Sequence, residues 1–231
     1  MKIVLQKYIA ESGYSSRRQA EDMIRRGKVK VNKKTAELGM RVNESDEIIV
    51  EDKKLKPVVK KIYIVLNKPI GYTCTNRKFK DEKNIFELVD VKERLFAAGR
   101  LDKNSRGLVI LTNDGGLTER LTHPRFEHEK EYLIKLKVES KKLKVEEIIK
   151  SFKKGMDIGE NETGKAKNVE FLGDKKFKII LTEGKKRQIR RMFKVLGLEV
   201  SDLIRVRVGS IGLGNLQTGK WRYLKKDEIM K

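Results

Sequence analysis

The chain has 231 residues, enough at roughly 150 residues per domain for one large or two smaller domains with a real core, which argues against disorder throughout. Its 55 Lys and Arg against 33 Asp and Glu leave a net charge of +22, spread over both the first sixty residues and the remainder, so an extended surface for a nucleic acid is expected. No apolar run approaches the roughly 18 to 20 residues of a membrane span, no signal-peptide pattern opens the chain, and the single Cys74 excludes an internal disulfide, so the expected compartment is the cytoplasm.

Leu5, Tyr8 and Ile9 have helical spacing that Gly13 would end. Ser16 and Gln19 form a capping-box signature for a second helix with Ala20, Met23 and Ile24 on its buried face, ending at Gly27. Residues 28–32 alternate Val29 and Val31 with charge and read as a half-buried strand, with 47–50 as its partner. Arg17, Arg18, Arg25 and Arg26 fall on the exposed side of the second helix. Such a run is by default a solvated face, but the succession from the Ser-Arg-Arg helix start to Arg-Arg-Gly-Lys-Val and Val-Asn resembles the small RNA-binding module of the ribosomal-protein S4 type over residues 2–50. That resemblance implies RNA contacts for Arg17, Arg18 and Arg25.

Residues 51–60 are charged, contain Pro57 and lack periodicity, so they read as a linker. A second domain, 61–231, opens with a strand at 62–66. A Lys68-Pro69-Ile70-Gly71 turn, a short strand near 72–75 and a series of strands and short helices follow, an α+β arrangement and not a doubly wound one. The stretch from Gly159 to Lys165 has phosphate-loop spacing but continues with Ala166 where a hydroxyl would hold magnesium, and Glu160 and Glu162 would repel phosphate, so it reads as a hairpin turn. The glycines from Gly209 to Gly214 read as turns as well. One cysteine with His123 and His128 makes no typical zinc site, and no nucleophilic serine with a histidine base stands out.

The richest segment runs from Ala98 through Gly99-Arg100-Leu101-Asp102-Lys103-Asn104-Ser105-Arg106-Gly107 into the apolar run 108–111 and the Asn113-Asp114-Gly115 turn. An Asp in such a loop is usually a turn former, yet Arg100, Lys103 and Arg106 make this loop electropositive and approachable by an RNA backbone. In 130–138, period two puts Tyr132, Ile134, Leu136 and Val138 on one face, with Tyr132 at its end where the ring can wall a pocket. Residues 183–193 are read as opening a helix that ends near Gly197. Ile189, Met192, Phe193 and Leu196 are its core stripe, Arg187, Arg191 and Lys194 cluster opposite, and Arg190 lies at the margin.

The loop motif with its following strand resembles the catalytic motif of the ribosomal RNA pseudouridine synthases of the RsuA, RluB and RluF family, with Ser105 where the family usually has Thr. The resemblance covers nearly the whole chain, and 203–212 and 219–224 match the family's closing motifs. It implies an S4-like module followed by a synthase domain on a mostly antiparallel mixed sheet with flanking helices. It implies catalytic roles for Asp102 as nucleophile or base, for Tyr132 against the target base, and for Arg190 as the partner of Asp102, with Arg187 and Lys185 as alternatives to Arg190. Arg100, Arg187, Arg191 and Leu203 would contact the substrate, Leu203 on the pocket floor. The expected reaction is uridine isomerisation without metal or cofactor. The expected partner is ribosomal RNA or a precursor subunit, more of the large-subunit type on the strength of the stretch from Thr122 to Tyr132, and the expected state is a monomer.

Overall fold

The computed structural model describes residues 2–56, 60–77, 79–137 and 143–229. The expectations placed on Pro57 and Val138 lie outside the described residues. The chain divides into two compact units, one of Met1–Ile62 with Val91–Leu95 and Thr112–Gly115, the other of Tyr63–Asp90, Phe96–Leu111 and Gly116–Lys231.

In the first unit the elements are β1 (Ile3–Val4), α1 (Leu5–Glu11), α2 (Arg17–Arg25), β2 (Val29–Val31), β3 (Lys34–Thr35), β4 (Arg41–Val42), β5 (Ile48–Val50) and β6 (Lys53–Lys54). The Ser16 hydroxyl accepts from the Gln19 N–H at 3.2 Å and the Gln19 side chain accepts from the Ser16 N–H at 3.0 Å, which satisfies two donors that the start of α2 would leave open. Gly27, at φ +68°, takes the left-handed turn out of α2. Val29 pairs with Val50 and Val31 with Ile48, so both valines of the alternating strand share one face. That face closes on Leu5, Tyr8, Ile9, Ala20 and Ile24, while Met23 is only partly buried. Each fully buried aliphatic side chain here contributes about 1.5–3 kcal/mol of transfer free energy.

The remainder supplies β7 (Tyr63–Lys68), β8 (Phe96–Ala98), β9 (Arg106–Thr112), α3 (Gly115–Thr122), β10 (Lys130–Leu136), α4 (Val145–Lys154), β11 (Met156–Asp157), β12 (Thr163–Gly164), β13 (Asn168–Phe171), β14 (Lys176–Leu181), α5 (Gln188–Val195), β15 (Val200–Val208), β16 (Ile211–Gly212), β17 (Trp221–Tyr223) and α6 (Lys226–Ile229). A nine-stranded sheet runs β13-β14-β10-β15-β9-β7-β17, with β16 on β15 and β8 on β9. It is mixed: β10, β13 and β14 pair antiparallel, as do β10 with β15 and β7 with β17, whereas β9 lies parallel to β15. Helices α4 and α5 meet the sheet through Phe152, Phe193 and Phe177, whose ring centroids lie 4.7 and 5.8 Å apart in succession. The α+β expectation holds.

Three local expectations are corrected. The stretch 51–60 is not a bare linker: Lys53 and Lys54 form β6 against Val50 and Ile49, and Leu55 packs on the first core. Residues 72–75 form no strand; Thr73 makes a single isolated bridge to Asn84, because the segment has no ladder partner beyond it. The helix read from 183 begins only at Gln188, since Arg187 adopts the left-handed conformation at φ +53° and breaks the chain direction. The stretch from Gly159 to Lys165 is a hairpin turn as read, between β11 and β12, with Glu160 and Asn161 both left-handed.

One contact sets the spacing of the sheet centre. Gly107 sits at φ +105° beside Arg205, and a Cβ there would lie 2.8 Å from the Arg205 nitrogen and 2.9 Å from the Ile204 side chain. Gly107→Ala is therefore expected to cost about 3 kcal/mol, from strain at positive φ plus overlap, read as a lower midpoint in urea denaturation. An unchanged midpoint would contradict this close approach.

Candidate active site

The Asp102 loop spans the gap between β8 and β9, closed by a Ser105 N–H to Asp102 carbonyl bond of 3.0 Å. Around it lies a cleft of about 640 Å³, a size suited to one nucleotide-scale ligand. Asp102, Tyr132, Arg190, Arg100, Arg187 and Leu203 all line it, so the second-unit residues singled out in the sequence converge there, with one exception.

The exception is Arg191. Its Nε donates to the Ile158 carbonyl at 2.8 Å and its Nη1 meets the Glu162 carboxylate at 2.5 Å, so the β11–β12 hairpin claims it, away from the cleft. Helical phase put Arg191 on an open basic face; the hairpin packed against α5 supplies the acids that close that face. Arg17, Arg18 and Arg25 are exposed on α2 in the first unit.

The electrostatics of the loop also differ from the sequence expectation. Lys103 pairs with Glu82 at 3.0 Å, and Arg106 makes a bidentate pair with Asp202 at 2.9 and 2.7 Å, so two of the three flanking cations are already engaged. Asp102 is half-buried, and among the described residues no cation pairs with it within 4 Å. Arg190 makes no ion pair with it. Instead its Nη2 donates to the Asn104 carbonyl at 2.7 Å and its Nη1 to the Val200 carbonyl at 2.9 Å, while Nε is buried without a partner. Burial, and next the neighbouring Arg187, hold the Arg190 guanidinium below its ordinary value, with Asp102 and Asp202 acting the other way. Arg190 thus grips the backbone of the loop and acts on Asp102 through space.

The sequence reading did not single out three further cations. Lys68 is fully buried and its Nζ donates to the carbonyls of Ser105 at 2.6 Å, Pro69 at 3.0 Å and Lys103 at 3.4 Å. Burial pushes its ammonium down, opposed by Cys74 and Asp102. Lys130, half-buried, donates to the carbonyls of His128 at 3.1 Å and Thr182 at 3.4 Å, and is pushed down by burial and by Arg205. Arg205 is 3% exposed and also lines the cleft. The signal available for Arg205 was parity: period two puts it on the same face of β15 as Leu203. No local pattern marks Lys68, which ends the apolar strand β7 and makes two of its three contacts 35 and 37 residues away.

Tyr132 is 8% exposed and stands directly opposite Arg205 across β10 and β15, with Ile134 opposite Leu203. Directly opposed residues share a face, so the tyrosine ring, Leu203 and Arg205 form one side of the cleft. Cys74 is buried at the wall as a free thiol, pushed up by burial against the opposing pull of the Leu101 N–H, Lys68, Arg205 and Arg100. Among the described residues no group of three His, Cys, Asp or Glu could hold a metal ion. The chemistry on offer is two carboxylates, Asp102 and the Glu183 that Lys185 pairs at 2.9 Å, one aromatic platform and a surplus of positive charge, a combination suited to a planar base on an anionic strand.

Comparison with known proteins agrees. The chain matches the RNA pseudouridylate synthase family over residues 62–194 and the S4 domain over residues 5–48. It is 38% identical to an uncharacterized RNA pseudouridine synthase of Aquifex aeolicus, covering 97% of this chain and 94% of that protein. It is 38% identical to the dual-specificity RNA pseudouridine synthase RluF of Escherichia coli, covering 98% of this chain and 77% of that protein. Identity to the ribosomal large subunit pseudouridine synthase B of Bacillus subtilis is 36%, covering 98% of this chain and 94% of that one. A crystal structure of a pseudouridylate synthase superposes with a TM-score of 0.70 at 34% identity, covering 98% of both chains.

Arg187 is exposed at the rim and Arg191 is tied down, so the two should separate experimentally. Arg187→Ala is expected to lower the slope of log RNA affinity against log salt by about 1. Arg191→Ala should leave the slope unchanged and lower the melting temperature. Equal slopes for both variants would mean that Arg187 contacts no phosphate.

Proposed function

The chain belongs to the RNA pseudouridylate synthase family, and on that premise we propose that it converts a specific uridine of large-subunit ribosomal RNA to pseudouridine, with Asp102 acting at the ribose. The observation that carries this reading is the single unpaired carboxylate of Asp102 in a cationic cleft walled by Tyr132. Residues 1–50 would bind RNA through Arg17, Arg18 and Arg25, with β6 of the 51–60 stretch completing that unit's sheet, and residues 61–231 would form the catalytic domain.

The reaction breaks the bond from ribose C1′ to uracil N1, turns the detached ring and joins C1′ to C5. C5 loses a proton and N1 gains one, so composition and oxidation state are unchanged and no group donor is consumed. The target base must first leave its stack, at a cost of a few kcal/mol. The basic surface offsets that cost through phosphate contacts, Arg100 and Arg187 among them. Tyr132 stacks on the ring and Leu203 lies below it, while Asp102 meets C1′ as nucleophile or acts there as base. Arg190 steadies the loop that carries Asp102. Relatives named for the large subunit and for dual specificity support the choice of substrate. We place the reaction in the cytoplasm and the protein as a monomer on the RNA.

Release of tritium from C5-labelled uridine tests this, using large- and small-subunit transcripts and precursor subunits. Wild type should release tritium from the large-subunit RNA, and Asp102→Ala should be slower by at least about a thousandfold, as for loss of a group acting at the reacting atoms. Release by Asp102→Ala at the wild-type rate would remove Asp102 from the chemistry. No release by wild type from any substrate would leave an RNA-binding protein without this activity.

A further inference from the structure

Arg205 is a buried cation that the reaction, as described so far, does not use. The residue is 3% exposed, and among the described residues no carboxylate pairs with it within 4 Å. The contrast lies two residues along the same strand, where Arg207 pairs with Glu129 at 2.9 Å and Glu131 at 3.0 Å. Burying an arginine without a counter-charge is costly, so such a residue needs an explanation beyond stability. Its Nε donates to the Leu108 carbonyl at 2.8 Å and its Nη1 reaches the Arg100 carbonyl at 3.4 Å, while Nη2 is buried with no partner. The two carbonyls lie on opposite sides of Asp102, two residues before it and six after. The backbone that carries Arg205 is also the cross-strand neighbour of Tyr132 on one side and of Gly107 on the other.

We propose that Arg205 is a positioning residue that spans both ends of the Asp102 loop and fixes the carboxylate relative to the Tyr132 ring. This rests on the reading of Asp102 as the group at the ribose. Lys68 and Arg190 hold the middle of the loop at Lys103, Asn104 and Ser105, but among the described residues only the Arg205 side chain donates to carbonyls at both of its ends from the strand beside Tyr132. Misplacement of a reacting group by a fraction of an ångström lowers turnover without weakening substrate binding. A lysine at 205 keeps the charge and the stem but presents one nitrogen, which cannot replace a fork spanning two carbonyls in different directions.

The test compares wild type, Arg205→Lys and Arg205→Met by thermal melting, by hydrogen–deuterium exchange of the free protein, and by pseudouridine formation on the ribosomal RNA that wild type modifies. For Arg205→Lys, kcat should fall about tenfold with KM and RNA affinity within twofold of wild type, and amide exchange should quicken in 99–108 with the rest of the sheet unchanged. Arg205→Met should lose about a hundredfold in kcat. If the methionine variant does not melt cooperatively, the lysine variant decides. Unchanged turnover in Arg205→Lys overturns the proposal, as does unaltered exchange of the loop. A loss expressed in KM and RNA affinity also overturns it, by making Arg205 a substrate contact. Absence of activity in wild type would count against the proposed reaction instead, and the exchange measurement would still report whether Arg205 holds the loop.

Discussion

Three cations donate to the backbone carbonyls of one loop, and the position of Asp102 follows from that. Lys68 takes Lys103 and Ser105, Arg190 takes Asn104, and Arg205 takes Arg100 and Leu108. A polar loop between two strands would normally satisfy its carbonyls with water and move accordingly. Here the acceptors meet charged donors, which make stronger bonds than neutral ones, and the bonds from Lys68 to Ser105 and from Arg205 to Leu108 are buried. The desolvation of three cations opposes this arrangement. Its direction is visible in the lowered values of Lys68 and Arg190. The structure accepts that cost around the loop that carries Asp102.

The sheet makes such convergence possible. Parallel pairing of β9 with β15 brings the start of β9 against the middle of β15, and Gly107 permits an approach that any side chain would obstruct. Antiparallel pairing of β10 on the other edge of β15 then places Tyr132 across from Arg205. Aromatic wall, buried arginine and carboxylate loop are thereby referred to one strand. The parallel pair joins segments about a hundred residues apart, so this geometry forms only when the fold is complete.

Local physics was legible in the sequence. Ser16 and Gln19 form their reciprocal cap, Val29 and Val31 face the core, and the stretch after Gly159 is a hairpin and not a phosphate loop, because each depends on neighbours within a few residues. The convergence of Asp102, Tyr132 and Arg190 came from family resemblance and not from spacing; no periodicity brings loop, strand and helix together. What the sequence could not give were contacts between distant segments. Arg191 looked like a free face until the β11–β12 hairpin met it, Arg190 reached a carbonyl before a carboxylate, and the late start of α5 hinged on one left-handed residue, Arg187. Lys68 was hidden for the same reason, since all that identifies it is its set of acceptors.

The solitary thiol gains a use from its place in this arrangement. Cys74 sits in the cleft wall with its ionisation pushed up by burial, under the N–H of Leu101, the residue just before Asp102. A thiol so placed is shielded and kept protonated, and so is a poor nucleophile. Slow alkylation of Cys74 in the folded protein, set against fast alkylation in the unfolded chain, therefore reports the integrity of that wall without an added label.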